Sequence, residues 1–260
     1  MERGRLTAFR IFSSDLDGTL LGDAAATERF ARAWASLPPD RRPLLVYNSG
    51  RLVDDIAAIV AAEGLPPADF CIGGVGTEII DGIANRPMAD FAARLAPGWD
   101  RDRVEAIVAA LLGLTRQAAR YQHRHKSSWH LAAMSPEAIG DLEQRLRDAG
   151  IDARIVYSSN RDLDVLPGAG SKGNALAWLA DRLGVSGDAI LVAGDTGNDA
   201  AMFALPQVSG ILVANAHADL VAGTEAARVY RSPFAAAAGV LDGLAHFGVL
   251  ADGAVAPGDA

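Results

Sequence analysis

The apolar positions of this chain follow two rhythms. A short apolar run at Phe9 to Phe12 leads into the polar loop Ser13-Ser14-Asp15-Leu16-Asp17-Gly18-Thr19, and helical patterning from Thr27 to Leu37 closes at Pro38-Pro39. Pro43 to Tyr47 repeats the short run, ends at Asn48-Ser49-Gly50-Arg51, and is followed by a helical pattern over about Leu52 to Glu63; Phe70 to Gly73 forms a third run. Buried strand, polar loop and helix in alternation predict an α/β fold, a doubly wound parallel sheet with helices on its faces.

The rhythm changes after Gly82. Val104, Ile107, Val108 and Leu111 recur at helical spacing within Asp100 to Leu112, and a polar extended stretch runs from Arg116 to His130. Ser135-Pro136-Glu137 supplies an N-cap and an N1 proline for a helix ending near Gly150. Strand candidates Ala153 to Tyr157 and Leu163 to Leu166 flank the polar turn Ser158-Ser159-Asn160-Arg161. An α+β unit inserted over residues 84–166 is expected, with the core made of residues 1–83 and 167–260. Helix Lys172 to Leu183, strand Ala189 to Ala193, the loop Gly194-Asp195-Thr196-Gly197-Asn198-Asp199, strand Ile211 to Val213 and a helix after His217 resume the first rhythm, and Ala251 to Ala260 reads as a loose tail.

Composition narrows the classes of function. The chain has 260 residues, half of them hydrophobic, enough for a substantial core. A net charge of -8 argues against a general nucleic-acid binder, which needs a basic face. A single cysteine, Cys71, rules out an intramolecular disulfide. Met1 to Ser14 lacks the apolar run of a signal peptide, and the Ala-rich stretches are too interrupted by charge to span a membrane, so a soluble, cytoplasmic protein is expected. A monomer is compatible with this composition. Only Lys126 and Lys172 of the 24 basic residues are lysines, which points to a need for a compact ammonium at those two positions.

The polar loops carry the chemistry. Asp15 with Asp17, Ser49, and Asp195 with Asp199 all fall at the C-terminal ends of predicted parallel strands, the edge where open α/β sheets bind ligands. Two unit charges about 4 Å apart repel by roughly 4 kcal/mol at an effective dielectric near 20. Gathered carboxylates therefore require a cation among them or protonation of some. An all-oxygen donor set favours a hard ion such as Mg²⁺ over zinc. In Asp15-x-Asp17, one carboxylate is placed to attack and the other to handle protons.

Asp15-Leu16-Asp17-Gly18-Thr19-Leu20, Ser49-Gly50-Arg51, Lys172-Gly173 and Gly194-Asp195-Thr196-Gly197-Asn198-Asp199 resemble, in order, the four motifs of the haloacid dehalogenase-like hydrolases. Gly74-Val75-Gly76-Thr77-Glu78-Ile79, His125-Lys126-Ser127-Ser128-Trp129, Ser158 to Pro167 and Val213-Ala214-Asn215-Ala216 are similar to the sucrose-phosphate phosphatase branch of that superfamily. Arg120-Tyr121-Gln122-His123 with Lys126 to Trp129 looks most like its mannosylfructose-phosphate phosphatases. The resemblance implies a Mg²⁺-dependent phosphatase acting on a small phosphosugar, with neither nucleic acid nor membrane as partner. Asp15 would be the nucleophile, Asp17 the general acid and base, and Ser49 and Lys172 the phosphoryl-binding groups. Asp15, Asp17 through its backbone carbonyl, Asp195 and Asp199 would serve the metal. Ser49, Gly50, Arg51, Gly76, Thr77, Glu78, Lys126, Asn160, Asp164 and Asn198 are the candidates for substrate contact, and the insert would be a cap closing over the sugar.

Competing readings are structural or chemical. Ser49 is also placed to cap the helix beginning near Leu52. The glycines of Gly73 to Gly76 form either a phosphosugar-adjacent turn or a plain hairpin, with Ile79 where a dinucleotide loop needs a third glycine. His123, His125 and His130 are read as lining one side of a strand rather than as a zinc site. Lys126 is a surface cation or a ligand contact, and Trp129 and Trp178 are read as core or interface residues. Sucrose phosphate, phosphoryl transfer to a sugar hydroxyl, and a phospho-accepting signalling module are the rival functions.

Overall fold

The computed structural model describes residues 9–111, 113–158, 160–224 and 228–251. Residues 1–8, Leu112, Ser159 and the expected tail beyond residue 251 lie outside the described residues. In chain order the elements are β1 (Ile11–Ser14), α1 (Ala24–Ser36), β2 (Leu44–Asn48), α2 (Val53–Ala62), β3 (Phe70–Gly73), β4 (Glu78–Asp81) and β5 (Arg86–Pro87). Then come α3 (Ala89–Arg94), α4 (Arg101–Ala109), β6 (Thr115–Arg116), β7 (Ser127–His130), α5 (Pro136–Asp148), β8 (Ala153–Ser158), β9 (Asp162–Pro167) and α6 (Lys172–Arg182). The chain continues with β10 (Ile190–Gly194), α7 (Ala200–Phe203), β11 (Ser209–Leu212), α8 (Ala218–Gly223), β12 (Val229–Arg231) and α9 (Ala236–His246).

The large sheet has the order β12-β11-β10-β1-β2-β3-β4-β5. Its first six strands are parallel, and all but the edge strand β12 are largely buried on both faces, so successive residues serve opposite layers. Phe12, Leu45, Leu191 and Ile211 pack with Phe30 and Trp34 of α1, Ile56 of α2 and Leu244 of α9. Their neighbours Ile11, Val46, Val192 and Leu212 pack with Phe91 of α3, Leu176 and Leu179 of α6, Met202 of α7 and Leu220 of α8. Each such side chain taken fully out of water contributes about 1.5–3 kcal/mol.

Local signals place the helix ends. Helix α1 starts earlier than its apolar pattern because the Asp23 side chain accepts from the Ala26 amide, and it stops where Leu37, preceding a proline, turns extended. Ser135 caps α5 with Pro136 in its first turn, and Ser171 caps α6. Helix α2 follows Leu52 without a side-chain cap; Ser49 does not serve it, and its hydroxyl instead accepts from the Arg51 amide at 3.2 Å.

Strand β4 completes the plain hairpin that was one reading of Gly73 to Gly76, whereas β5 was not expected. Gly74, Val75 and Gly76 all take positive φ, and this tight reversal is too short for a crossover, so β4 returns antiparallel to β3. The expected boundary after residue 83 therefore cuts a hairpin: Arg86–Pro87 pairs with β4, and Phe91 and Leu95 join the large sheet's core. Gly76 has a φ of 86°, and a Cβ there would strike the backbone of Ser171 and Lys172 at the start of α6. Gly76→Ala combines left-handed strain with overpacking and is expected to lose roughly 2–4 kcal/mol, measured by urea unfolding.

The smaller unit is an antiparallel sheet, β6-β7-β9-β8, whose inner face places Trp129, Leu163 and Val165 against Val104 and Val108 of α4 and Leu142 and Leu146 of α5. Trp129 is thus core, and Trp178 packs on Phe91 at 5.2 Å. Among the described residues no helix is long and apolar enough to cross a membrane.

Candidate active site

Strand β1 lies between β10 and β2, and the loops leaving the C-terminal ends of these three strands form the floor of a cleft of about 460 Å³. Asp15 follows β1 directly, its amide donating to Ala193 of β10 at 3.0 Å. Its buried carboxylate accepts from Lys172 Nζ at 2.8 Å, and the same ammonium donates to Asp199 at 2.6 Å. Lys172 is wholly buried beneath the cleft, at the first turn of α6. The second oxygen of Asp199 accepts from the amides of Asp195 and Thr196, which folds the loop after β10 back on itself. Thr19 donates its hydroxyl to Asp195 at 3.2 Å. Gly18 has a φ of 79°, and a Cβ there would strike the Asp195 carboxylate, so this turn in the first motif requires glycine.

Three carboxylates gather beside one buried ammonium, which bonds two of them, Asp15 and Asp199. Burial is the main reason the Asp15 carboxyl is held well above its usual range; Lys172 opposes the shift, while Asp199 and Asp195 add to it. Burial, then Asp199, pushes Asp195 up to about 6. Burial alone would pull the Lys172 ammonium down, but Asp15 and Asp199 outweigh it and raise it above its usual value. Ligand oxygens of Asp15, Asp195 and Asp199 lie within 4.8 Å of one another. Asn198, in the cleft wall, has a buried Oδ1 with no donor. This surplus of hard oxygen donors fits a hard divalent cation.

Asp17 is arranged differently. Its carboxylate stands in the cleft, half exposed, and takes two hydrogen bonds of 2.7 Å from the Arg51 guanidinium. It is therefore separate from the buried carboxylate cluster. Exposed pairs of this kind contribute about 0–1 kcal/mol, so an incoming ligand displaces the clamp at small cost. Ser49 is buried in the cleft floor, and among the described residues its hydroxyl has no acceptor.

The second sheet roofs the cleft. Lys126 is buried, not a surface cation: its ammonium reaches Asp164 and the Gly50 carbonyl, each at 3.3 Å, and Ser128 donates to Asp164 at 2.6 Å. Of the candidates for substrate contact, Ser49, Gly50, Arg51, Lys126, Asp164 and Asn198 line the cleft. Four other candidates do not line it. Gly76 abuts α6, Thr77 donates to Gly74 at 2.9 Å, and Glu78 meets His123 Nε2 at 3.1 Å. Asn160 occupies a left-handed turn facing a neighbouring hollow beside Ala218 and Asp219.

The three histidines do not share a side. His123 and His125 sit in a turn closed by the His123–Lys126 bridge before β7, whereas His130 ends β7 in the cleft wall. Burial, then His125, pushes His123 down to about 4, so it meets Glu78 as a neutral ring at neutral pH. Sequence reasoning also missed Gln117, Tyr121, Arg161 and Asp162 in the cleft wall.

The family model for sucrose-6F-phosphate phosphohydrolase matches residues 8–248. The chain belongs to the sucrose-6F-phosphate phosphohydrolase family. It is 45% identical over 241 residues to mannosylfructose-phosphate phosphatase of Agrobacterium fabrum, covering 92% of this chain and 97% of that protein. It is 32% identical to sucrose-phosphatase 1 of Nicotiana tabacum, over 90% of this chain and 58% of the longer plant protein. The sucrose-phosphatase of Synechocystis sp. PCC6803, solved with sucrose and phosphate, superposes with a TM-score of 0.85 at 30% identity, covering 92% of this chain and 97% of that one. This phosphohydrolase accordingly has the haloacid dehalogenase-like fold with an α+β cap, and the cleft lies between the two.

Proposed function

We propose that this chain is a Mg²⁺-dependent phosphatase that hydrolyses a phosphorylated disaccharide, mannosylfructose-phosphate, through a phosphoryl group carried on Asp15. The observation that carries the reading is the Asp15 carboxylate at the cleft floor, bonded on one side to a wholly buried lysine and roofed by a polar sheet. Similarity to the Agrobacterium enzyme over nearly its whole length supports the choice of sugar. A cytoplasmic location belongs to the same reading, consistent with the lone Cys71.

In this scheme the Asp15 carboxylate attacks phosphorus in line with the sugar oxygen, and the bond from phosphorus to that oxygen breaks. Asp17, released from Arg51, takes up a proton from solvent, gives it to the departing oxygen and then takes one from the water that cleaves the aspartyl-phosphate. Ser49 and Lys172 donate to the phosphoryl oxygens. Asp15, Asp195 and Asp199 would hold Mg²⁺, which would supply neutralisation of the phosphoryl charge. Phosphate monoesters require accelerations of up to ~10²¹-fold, so these fixed charges matter more than any single proton transfer.

Phosphate release is to be followed with mannosylfructose-phosphate, sucrose phosphate and hexose phosphates, with Mg²⁺ and with chelator. The expected result is Mg²⁺-dependent release, highest on mannosylfructose-phosphate. Preference for sucrose phosphate would reassign the sugar, and no release from any member would sink the proposal. Oxygen from labelled water should appear in the phosphate; its absence would mean transfer to another hydroxyl.

A further inference from the structure

Strand alternation gives the cap sheet two unlike faces. Trp129, Leu163 and Val165 face α4 and α5, so the residues between them in the strands, Ser128 and His130 on β7 with Asp162 and Asp164 on β9, face the cleft. Register pairs Ser128 with Asp164 and His130 with Asp162. The first pair is already satisfied, because Asp164 takes both Ser128 and Lys126. The second pair is not. His130 Nδ1 lies 2.9 Å from Asp162 Oδ1. A carboxylate only accepts, so Nδ1 carries the proton, and in that Nδ1–H tautomer Nε2 presents its lone pair. Gln117 Nε2 and Arg161 Nε, each at 3.3 Å from the same Asp162 oxygen, fix the carboxylate from two further sides. Among the described residues Nε2 itself has no hydrogen-bond partner, and the ring is part of the cleft wall.

We infer that His130 is a specificity-determining residue of the cap: its Nε2, aimed by Asp162, accepts a hydrogen bond from a hydroxyl of the sugar ring farther from the phosphate. This rests on the disaccharide reading above. Neutral hydroxyls suit a wall whose free groups accept, whereas a second anionic group on the ligand would meet Asp162 and Asp164. Asp162 is a positioning residue in this account.

The test measures inhibition of p-nitrophenyl phosphate hydrolysis by the unphosphorylated disaccharide, mannosylfructose or sucrose. That probe substrate carries no hydroxyl for the cap to read. His130→Ala is expected to raise the inhibition constant about tenfold, the worth of one ligand hydrogen bond, and to leave kcat/KM for p-nitrophenyl phosphate unchanged. His130→Gln, whose Oε1 can stand near the Nε2 position, should recover most of the loss, and Asp162→Ala should lie between. An unchanged inhibition constant in His130→Ala overturns the inference while leaving the phosphatase reading intact. So does an equal fall on both ligands, which marks a structural role, or a loss confined to kcat on the disaccharide phosphate with one limb of its pH profile, which marks a proton carrier. A wild-type enzyme that binds neither disaccharide overturns this inference together with the sugar assignment.

Discussion

Replacing Asp15 by asparagine is expected to lower kcat by at least about 10⁴-fold and to leave the fold intact. An amide oxygen is a poor nucleophile and cannot form the acyl phosphate. The amide can still accept from Lys172, which also keeps its 2.6 Å bond to Asp199. Stability should hold or improve. The folded Asp15 carboxyl titrates above its unfolded value, chiefly through burial, so its ionisation at neutral pH disfavours the fold; wild-type stability is recovered as pH falls through the folded pKa toward the unfolded one. Asparagine removes that penalty at every pH. Thermal unfolding of chelated protein at pH 7.5 should give Asp15→Asn a midpoint equal to or above that of wild type. Residual turnover in the purified variant would remove Asp15 as nucleophile, and a midpoint several degrees lower would overturn the electrostatic account of the cluster.

What the sequence made legible follows from how local each signal is. Asp15 and Asp17, Ser49, Asp195 and Asp199 each sit in a strand-to-loop junction whose apolar run and polar tip are visible within a few residues, and parallel strands bring such tips to one edge. The scarcity of lysine proved informative. Lys126 and Lys172 are both buried, one in the roof and one under the floor of the same cleft, where a guanidinium would need more room. Features that depend on pairing between distant segments were not legible. Three consecutive positive-φ residues, Gly74 to Gly76, turn β4 back onto β3, and this turn carries Gly76, Thr77 and Glu78 off the cleft wall they were expected to line. The role of His130 depends on its register with Asp162, 32 positions along the chain. A slip of one residue would send both to the opposite face. Period-two alternation of Trp129 with its neighbours on β7, and of Leu163 and Val165 with theirs on β9, was present in the sequence and is the signal by which that face could have been found.

Lys172→Met is expected to unfold more readily than any other variant considered above, by about 3–5 kcal/mol at pH 7.5, and to lose activity by at least about 10²-fold. Methionine keeps the unbranched stem and lacks only the terminal ammonium, so most of the packing is kept and the loss chiefly reports charge. Without the ammonium, Asp15 and Asp199 lose hydrogen bonds of 2.8 and 2.6 Å and face Asp195 with no buried cation among them. The raised ammonium pKa means this contribution is present throughout the neutral range and disappears only when the pH rises through the folded value. Carboxylates deprived of their cation relieve the strain by binding protons, so the gap in urea midpoint between Lys172→Met and wild type should narrow as pH falls toward about 5. Lys172→Arg should recover little, since the planar guanidinium is bulkier than the slot a wholly buried ammonium fills. The decisive measurement is a double-mutant cycle. Adding Asp15→Asn to Lys172→Met removes one of the stranded anions, so the double variant should be more stable than Lys172→Met alone by more than the effect of Asp15→Asn in the wild-type background. Strict additivity would mean that Lys172 and Asp15 do not share the electrostatic bond that the proposed chemistry requires.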